Sequence, residues 1–338
     1  MGNASAGRHL EPVPNIYERH EMKKLVAIAI AALVLTGCAP AAEEKIEVVR
    51  LATHESFYIS DEQIAEFEES SGYQLEVITL GDTGSLTNQL VLTKNAPVAD
   101  VVYGIDNTFA SVALENDIVE DLQQVNYGDV CFNYDIGWFE KNGIQPPASW
   151  RDLGKSEYKN LVVIPNPNLS SPGMAFLITT HAGFETEAEV FAYWRSLRDN
   201  GLKTTASWTD AYFTDFTRYG GTRPIVLSYA SSPVAELKDG KPQSKSLSTE
   251  CFRQYEYTGL VKGAPNTPGG QAVIDYLLSE SFQAALPWNM FVYPNAGVEL
   301  PAEFQEFGAP AESVIGENLD FAANRERWLT DWSDVFDN

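Results

Sequence analysis

Apolar runs of strand length alternate with helix-spaced segments over residues 46–104, and no other feature constrains the fold as tightly. Residues 46–52 (IEVVRLA) suit a buried strand, 61–71 have helical spacing, and 74–80 read as a second strand. A polar turn at Gly81, Asp82, Thr83 and Gly84 then leads into a helix expected from Ser85 to about Lys94, and residues 100–104 (DVVYG) form a third strand. Strands and helices alternating at this interval build βαβ units, in which strands run parallel and ligands sit at their carboxyl ends. The loops at His54, Asp82 and Asp106 should therefore share one rim.

The chain has 338 residues, which favours two lobes. Hydrophobic residues make up 44% and charged residues 21%, enough apolar surface for a core and too many charges for a multispan membrane protein. Lys and Arg number 23 against 47 Asp and Glu, a net charge of −24. Such a surface repels phosphate backbones and anionic headgroups, so nucleic acid is not an expected partner and a cationic ligand is favoured.

Near the start, Met22, Lys23 and Lys24 precede an apolar run over residues 25–35, followed by Leu35, Thr36, Gly37 and Cys38. That run falls well short of the about 20 residues a spanning helix needs, so residues 22–37 read as a lipoprotein signal peptide. Cys38 would be the lipid-modified first mature residue, 38–45 a flexible tether, and 1–21 an extension with no assigned role. The alternative is a short buried helix with an incidental cysteine. Export to an extracytoplasmic, lipid-anchored location follows from the first reading. Cys131 and Cys251 then lie where disulfides persist, although pairing depends on how the fold places them. Beyond the signal only His54 and His181 remain, without CxxC or HExxH spacing, so neither a metal site nor a cofactor is expected.

The pattern changes at residues 127–134 (YGDVCFNY), a strand-like crossover followed by GIQPPASWRDL over 143–153. Further motifs are DVVYGIDN (100–107), PNLSSPG (167–173), SWTDAY (207–212), LSYASSP (227–233), YPN (293–295) and NRERWLTDW (324–332). In this order they resemble the thiamine-binding members of the type II solute-binding proteins of ABC importers. The resemblance implies an α/β, two-lobed type II periplasmic-binding-protein fold, each lobe a mostly parallel sheet flanked by helices. Lobe one would comprise residues 46–127 and 257–295, lobe two 135–250 and 296–338, with hinge strands at 128–134 and 251–257. Those segments would lie side by side, which implies a Cys131 to Cys251 bridge.

It also implies partners: thiamine or thiamine phosphate, and an ABC permease of the cytoplasmic membrane, served by a monomer that binds without catalysis. Thiamine carries a cationic thiazolium, a flat aminopyrimidine and a hydroxyethyl arm, and each aromatic face over such a cation contributes about 0.5–2 kcal/mol. Residue by residue, the family pattern places His54, Glu55 and Ser56 at a stacking loop, Asp82 as ligand carboxylate, and Ser170 and Ser171 at the hydroxyl or phosphate end. A helix starting just after Gly173 would add its amides there. Trp208 and Tyr229 supply second-lobe contacts, and Asp106 belongs to the rim. The chain departs from the pattern at His54, at Ala235 in place of a stacking tyrosine, and at Phe291 in place of a tryptophan, with Trp288 as the alternative ring. Plainer roles stand beside these: Asp82 as a helix cap, Asp106 as a local turn former, Ser170 as a turn residue, and the rings as core.

Three rivals differ in class. A thiaminase I-like enzyme would need a free cleft cysteine, yet its nucleophile position matches nearer Gly128 than Cys131, on the opposite face of an alternating strand. An iron(III) receptor would want adjacent tyrosines, where Ser228, Tyr229 and Ala230 offer one, and a polyamine receptor would want several converging carboxylates. Relatives also have a longer connection than the few residues between Glu120 and Val125.

Overall fold

The computed structural model describes residues 47–295 and 297–336. The proposed signal peptide, Cys38 and the tether lie outside the described residues. Strand β1 (Val48–Thr53) opens the fold, followed by helix α1 (Asp61–Ser71), β2 (Gln74–Thr79), α2 (Thr83–Thr93), β3 (Val101–Asp106) and α3 (Ala110–Glu115). Local chemistry explains the boundaries. Ser60 and Gln63 form a capping box at the start of α1, and Gly72 ends it in the left-handed conformation at φ 77°. Helix α2 begins at Thr83, earlier than its sequence suggests, because the Asp82 carboxylate accepts the Thr83 amide.

The long strand β4 (Gln123–Asp135) leads to α4 (Ile136–Asn142), β5 (Val162–Pro165), α5 (Ser171–Gly183), α6 (Glu187–Asp199), β6 (Lys203–Thr205) and β7 (Ile225–Tyr229). Helix α5 starts at Ser171, two residues before Gly173, with Pro172 in a first turn that needs no amide donor. Next come α7 (Ser232–Ala235), the hairpin β8 (Leu237–Lys238) and β9 (Lys241–Pro242), β10 (Ser244–Ser246) and β11 (Phe252–Leu260). Helices α8 (Thr267–Leu277) and α9 (Glu280–Met290), strand β12 (Tyr293–Pro294), α10 (Ala302–Phe307) and α11 (Phe321–Phe336) complete the order.

The main sheet runs β2-β1-β3-β11-β4-β7-β5-β6, with β10 and β12 also pairing β4. Strands β2, β1 and β3 are mutually parallel, as are β7, β5 and β6. The antiparallel pair β11 and β4 joins these two parallel groups, giving a two-lobed α/β fold. One lobe buries Leu51, Phe67, Tyr103 and Phe282 on one face of its sheet and Leu86, Leu90 and Ile105 on the other. The second packs Phe132, Trp150, Phe176 and Trp194 beneath α11, which contributes Trp328 and Trp332.

A disulfide joins Cys131 on β4 to Cys251 just ahead of β11, with Cα atoms 5.0 Å apart. The short connection into β4 is pinned where the Glu120 amide donates to the Leu260 carbonyl at 3.0 Å. A glycine is needed opposite it: a Cβ at Gly259 would stand 2.2 Å from the Asp121 carbonyl oxygen.

Candidate ligand-binding site

The carboxyl ends of β1, β2 and β3 deliver His54, Asp82 and Asp106 to one polar group, with His54 and Asp106 buried and Asp82 half-buried, as parallel strands with a common direction must. His54 lies against Gly104, whose φ of 97° and missing side chain make room; a Cβ there would stand 2.2 Å from His54 Cδ2. Its Nε2 sits 3.1 Å from Glu256 Oε1, and its Nδ1 accepts the Ser56 amide at 3.2 Å. A backbone amide can only donate, so Nδ1 carries the lone pair and Nε2 the proton. Glu256 Oε2 in turn accepts from the Tyr103 hydroxyl at 2.7 Å, and the Asn126 side-chain amide donates to that hydroxyl.

Burial opposes charge on the His54 ring, but the Glu256 carboxylate, with Asp82 and Asp106 behind it, outweighs that and raises its pKa above the ordinary value. Burial likewise opposes the Glu256 charge, and the partners His54, Tyr103 and Asn126 overcome it, leaving its pKa below the usual range.

Asp82 spends its two oxygens differently. Oδ1 accepts the Thr83 amide at 2.7 Å, and Oδ2 accepts the Trp208 amide of the second lobe at 3.0 Å. Two residues on, the Gly84 amide donates to the Leu169 carbonyl at 3.0 Å. A Cβ on Gly84 would come within 2.7 Å of that oxygen, so the approach requires a glycine. Burial raises the Asp82 pKa against these hydrogen bonds and the Ser170 hydroxyl.

Asp106 Oδ1 accepts the Thr108 amide and hydroxyl and the Phe109 amide, a local turn role, at 3.0, 2.7 and 3.1 Å. Its Oδ2 is buried without a hydrogen-bond partner, and burial pushes the carboxyl up to about 6, held back by the Ser171 and Thr108 hydroxyls. Ser170 caps no amide with its side chain; the buried Oγ atoms of Ser170 and Ser171 face the carboxylates of Asp82 and Asp106 from beyond hydrogen-bond distance.

From the second lobe, the Trp208 ring stacks on Tyr212 at 4.9 Å and meets Tyr229 edge-on at 6.1 Å, while its Nε1 donates to Ser228 Oγ at 3.0 Å. The Tyr229 hydroxyl donates to Gln254 Oε1 at 3.3 Å. Burial, then the charges of Glu256, Asp82 and Asp106, hold this phenol well above its ordinary pKa. The Tyr229 ring lies over Gly128, where a Cβ would come within 2.9 Å of it. Glu55 reaches the same loop region, its amide on the Gly81 carbonyl at 2.8 Å and its Oε1 buried without a partner.

Phe291 and Trp288 are not brought into this group. Phe291, in the left-handed conformation at φ 54°, stacks with Phe304 at 6.1 Å, and Trp288 packs edge-on to the same ring at 5.4 Å. Sequence reading missed Glu256, Tyr103, Gln254 and Asn126. The available signal was the alternation in β11, where Phe252, Gln254, Glu256 and Thr258 all turn inward and two of them are amide or carboxylate.

The buried carboxylates of Asp106 and Glu256, the half-buried one of Asp82, one histidine and the rings of Trp208 and Tyr229 suit a flat cation. The Cys131 sulfur is committed to the disulfide and so offers no thiolate for covalent chemistry. Among the described residues there is no group of three or more His, Cys, Asp or Glu that could hold a metal ion.

Comparison with known proteins gives concordant results. The thiamine-binding periplasmic protein of Escherichia coli K12 is 28% identical over 283 residues, covering 79% of this chain and 85% of that protein. That of Brucella suis biovar 1 is 24% identical over 335 residues, covering 92% and 98%. Among solved structures, a periplasmic thiamin binding protein superposes with a TM-score of 0.74 at 24% identity, covering 89% of this chain and 99% of that one. The apo ferric ion-binding protein A of Pasteurella haemolytica gives 0.68 at 17% identity, covering 86% and 99%, so the fold alone is shared with receptors of other ligands. The profile of the bacterial extracellular solute-binding proteins matches residues 99–306, more than half of the sequence, and the chain belongs to that family.

Proposed function

We propose that this protein is an extracytoplasmic receptor that binds thiamine between its lobes and delivers it to an ABC permease of the cytoplasmic membrane. The observation that carries this reading is the clustering of buried Asp106, Glu256 and His54 with half-buried Asp82, beside the rings of Trp208 and Tyr229. It occurs in a chain whose relatives in Escherichia and Brucella are named for thiamine binding. The thiazolium would lie near the carboxylates, and the flat rings against His54, Trp208 and Tyr229. Ser170 and Ser171, whose buried hydroxyls face Asp82 and Asp106 without reaching hydrogen-bond distance, would receive the hydroxyethyl arm or its phosphate.

The action is binding without bond-making. Residues 46–127 with 257–295 and residues 135–250 with 296–338 act as lobes that close about hinge strands 128–134 and 251–257. Closure places Trp208 and Tyr229 opposite the acidic rim, and only the closed form uses both sets of contacts, so ligand shifts the population toward it. Residues 22–37 serve as the signal peptide, and Cys38 carries the lipid that keeps a monomeric receptor at the membrane.

Titration with thiamine, followed by tryptophan fluorescence, tests the assignment. Saturation below roughly 1 mM supports it, and its absence rejects it. Prolonged incubation with thiamine and an amine nucleophile should leave the vitamin intact.

A further inference from the structure

We propose that Glu256 is a positioning residue for His54: its carboxylate fixes the imidazole as a flat platform that offers the ligand a ring face instead of a hydrogen-bonding edge. The inference deepens the thiamine reading and rests on it. Both ring nitrogens are already engaged within the protein, Nε2 with Glu256 Oε1 at 3.1 Å and Nδ1 with the Ser56 amide at 3.2 Å. One side of the ring is backed by Gly104, where any Cβ would collide with it. Rotation about the side chain would therefore break two hydrogen bonds of fixed polarity.

Glu256 is itself held firmly. Its second oxygen accepts the Tyr103 hydroxyl at 2.7 Å, which is in turn held by Asn126. It also stands where β11 changes register, between Glu256 and Tyr257 against β4 and between Tyr257 and Thr258 against β3. Such irregularities re-aim side chains, and here the carboxylate is aimed at a histidine 202 residues away.

The arrangement has a built-in sensitivity to acid. A second proton on His54 must go to Nδ1, which requires giving up the Ser56 amide bond and creates a cation facing the ligand's own charge. The other charged or titratable groups facing the ring are Asp82 at the start of α2, Asp106 at the end of β3, and Tyr103, whose ring lies 5.6 Å from it.

The test combines a ligand-independent and a ligand-dependent measurement on the full chain. Long-range 1H–15N correlation spectra of histidine-labelled protein at pH 8 should show the His54 proton on Nε2; a proton on Nδ1 overturns the proposal. Thiamine titrations should show Glu256→Gln weakening binding about tenfold, but by at least about threefold less when introduced into a His54→Phe background, where only the charge of Glu256 still counts and no imidazole remains to be positioned. An equal cost in both backgrounds overturns it. In Glu256→Gln, loss of affinity on acidification should also begin at lower pH than in the unmodified protein, and an unshifted profile overturns it. If the unmodified protein fails to bind thiamine, the ligand assignment falls, while the spectra still decide whether the His54 proton faces Glu256.

Discussion

The two rims that meet at the site are chemically opposite. The first lobe brings His54, Asp82 and Asp106 on the ends of parallel strands, with Glu256 beside them on a strand that joins the lobes. The second brings the backbone amide of Trp208, the hydroxyls of Ser170 and Ser171, and the faces of Trp208 and Tyr229. Charge is concentrated on one side, and neutral donors and rings answer it from the other. Neither rim would be a good site alone, because buried carboxylates need partners and rings bind a cation weakly in open water. On the proposed function, selectivity for a flat cation would come from their juxtaposition.

Replacing Asp82 strikes both rims at once, since one carboxylate caps α2 and holds the Trp208 amide. Asp82→Ala should weaken thiamine binding about a hundredfold, within the about 2–5 kcal/mol typical of a lost buried charged hydrogen bond, as calorimetry would measure. A loss below about threefold would show that the acidic rim does not depend on this group.

Acidification should discharge that rim selectively. Burial pushes Asp106 up to about 6 and raises Asp82, and the neighbouring carboxylates, Glu256 foremost, raise His54 above its ordinary value against burial. Each change makes the site less negative as pH falls, so affinity should drop about tenfold or more between roughly pH 8 and pH 5. A flat profile across that window would mean that none of the three groups faces the ligand.

A smaller effect probes the aromatic rim. Gly128→Ala places a methyl group within 2.9 Å of the Tyr229 ring and must displace it. Binding should weaken about three- to tenfold with the acid dependence unchanged, because the carboxylates stay in place. The smallest effect on affinity is expected from Cys131→Ser with Cys251→Ser, which touches neither rim. Thiamine binding should stay within about twofold while chemical denaturation shows a loss of about 2–5 kcal/mol.

Much of the first rim was legible because it is local. Strand and helix alternation places residues 54, 82 and 106 together whatever else the chain does, whereas the disulfide was expected only through the family resemblance, which sets the two hinge segments side by side. Glu256 was not legible, since its partner His54 is 202 positions away and nothing in either neighbourhood specifies the pairing. Asp82 left capping and ligand binding as alternatives, and the structure gives one oxygen to the cap and the other to a residue 126 positions on. Phe291 shows the converse limit: its motif fixed a position, but a left-handed backbone and packing on Phe304 set the direction of its ring.

The bond between Cys131 and Cys251 encloses a span of 120 positions, running from β4 through β10. Hydrolysis of any peptide link within that span leaves the two fragments fastened at the neck of the lobe. A nicked molecule would therefore keep its apparent mass until a reductant is added, and protease sensitivity of this lobe is to be read from reduced samples.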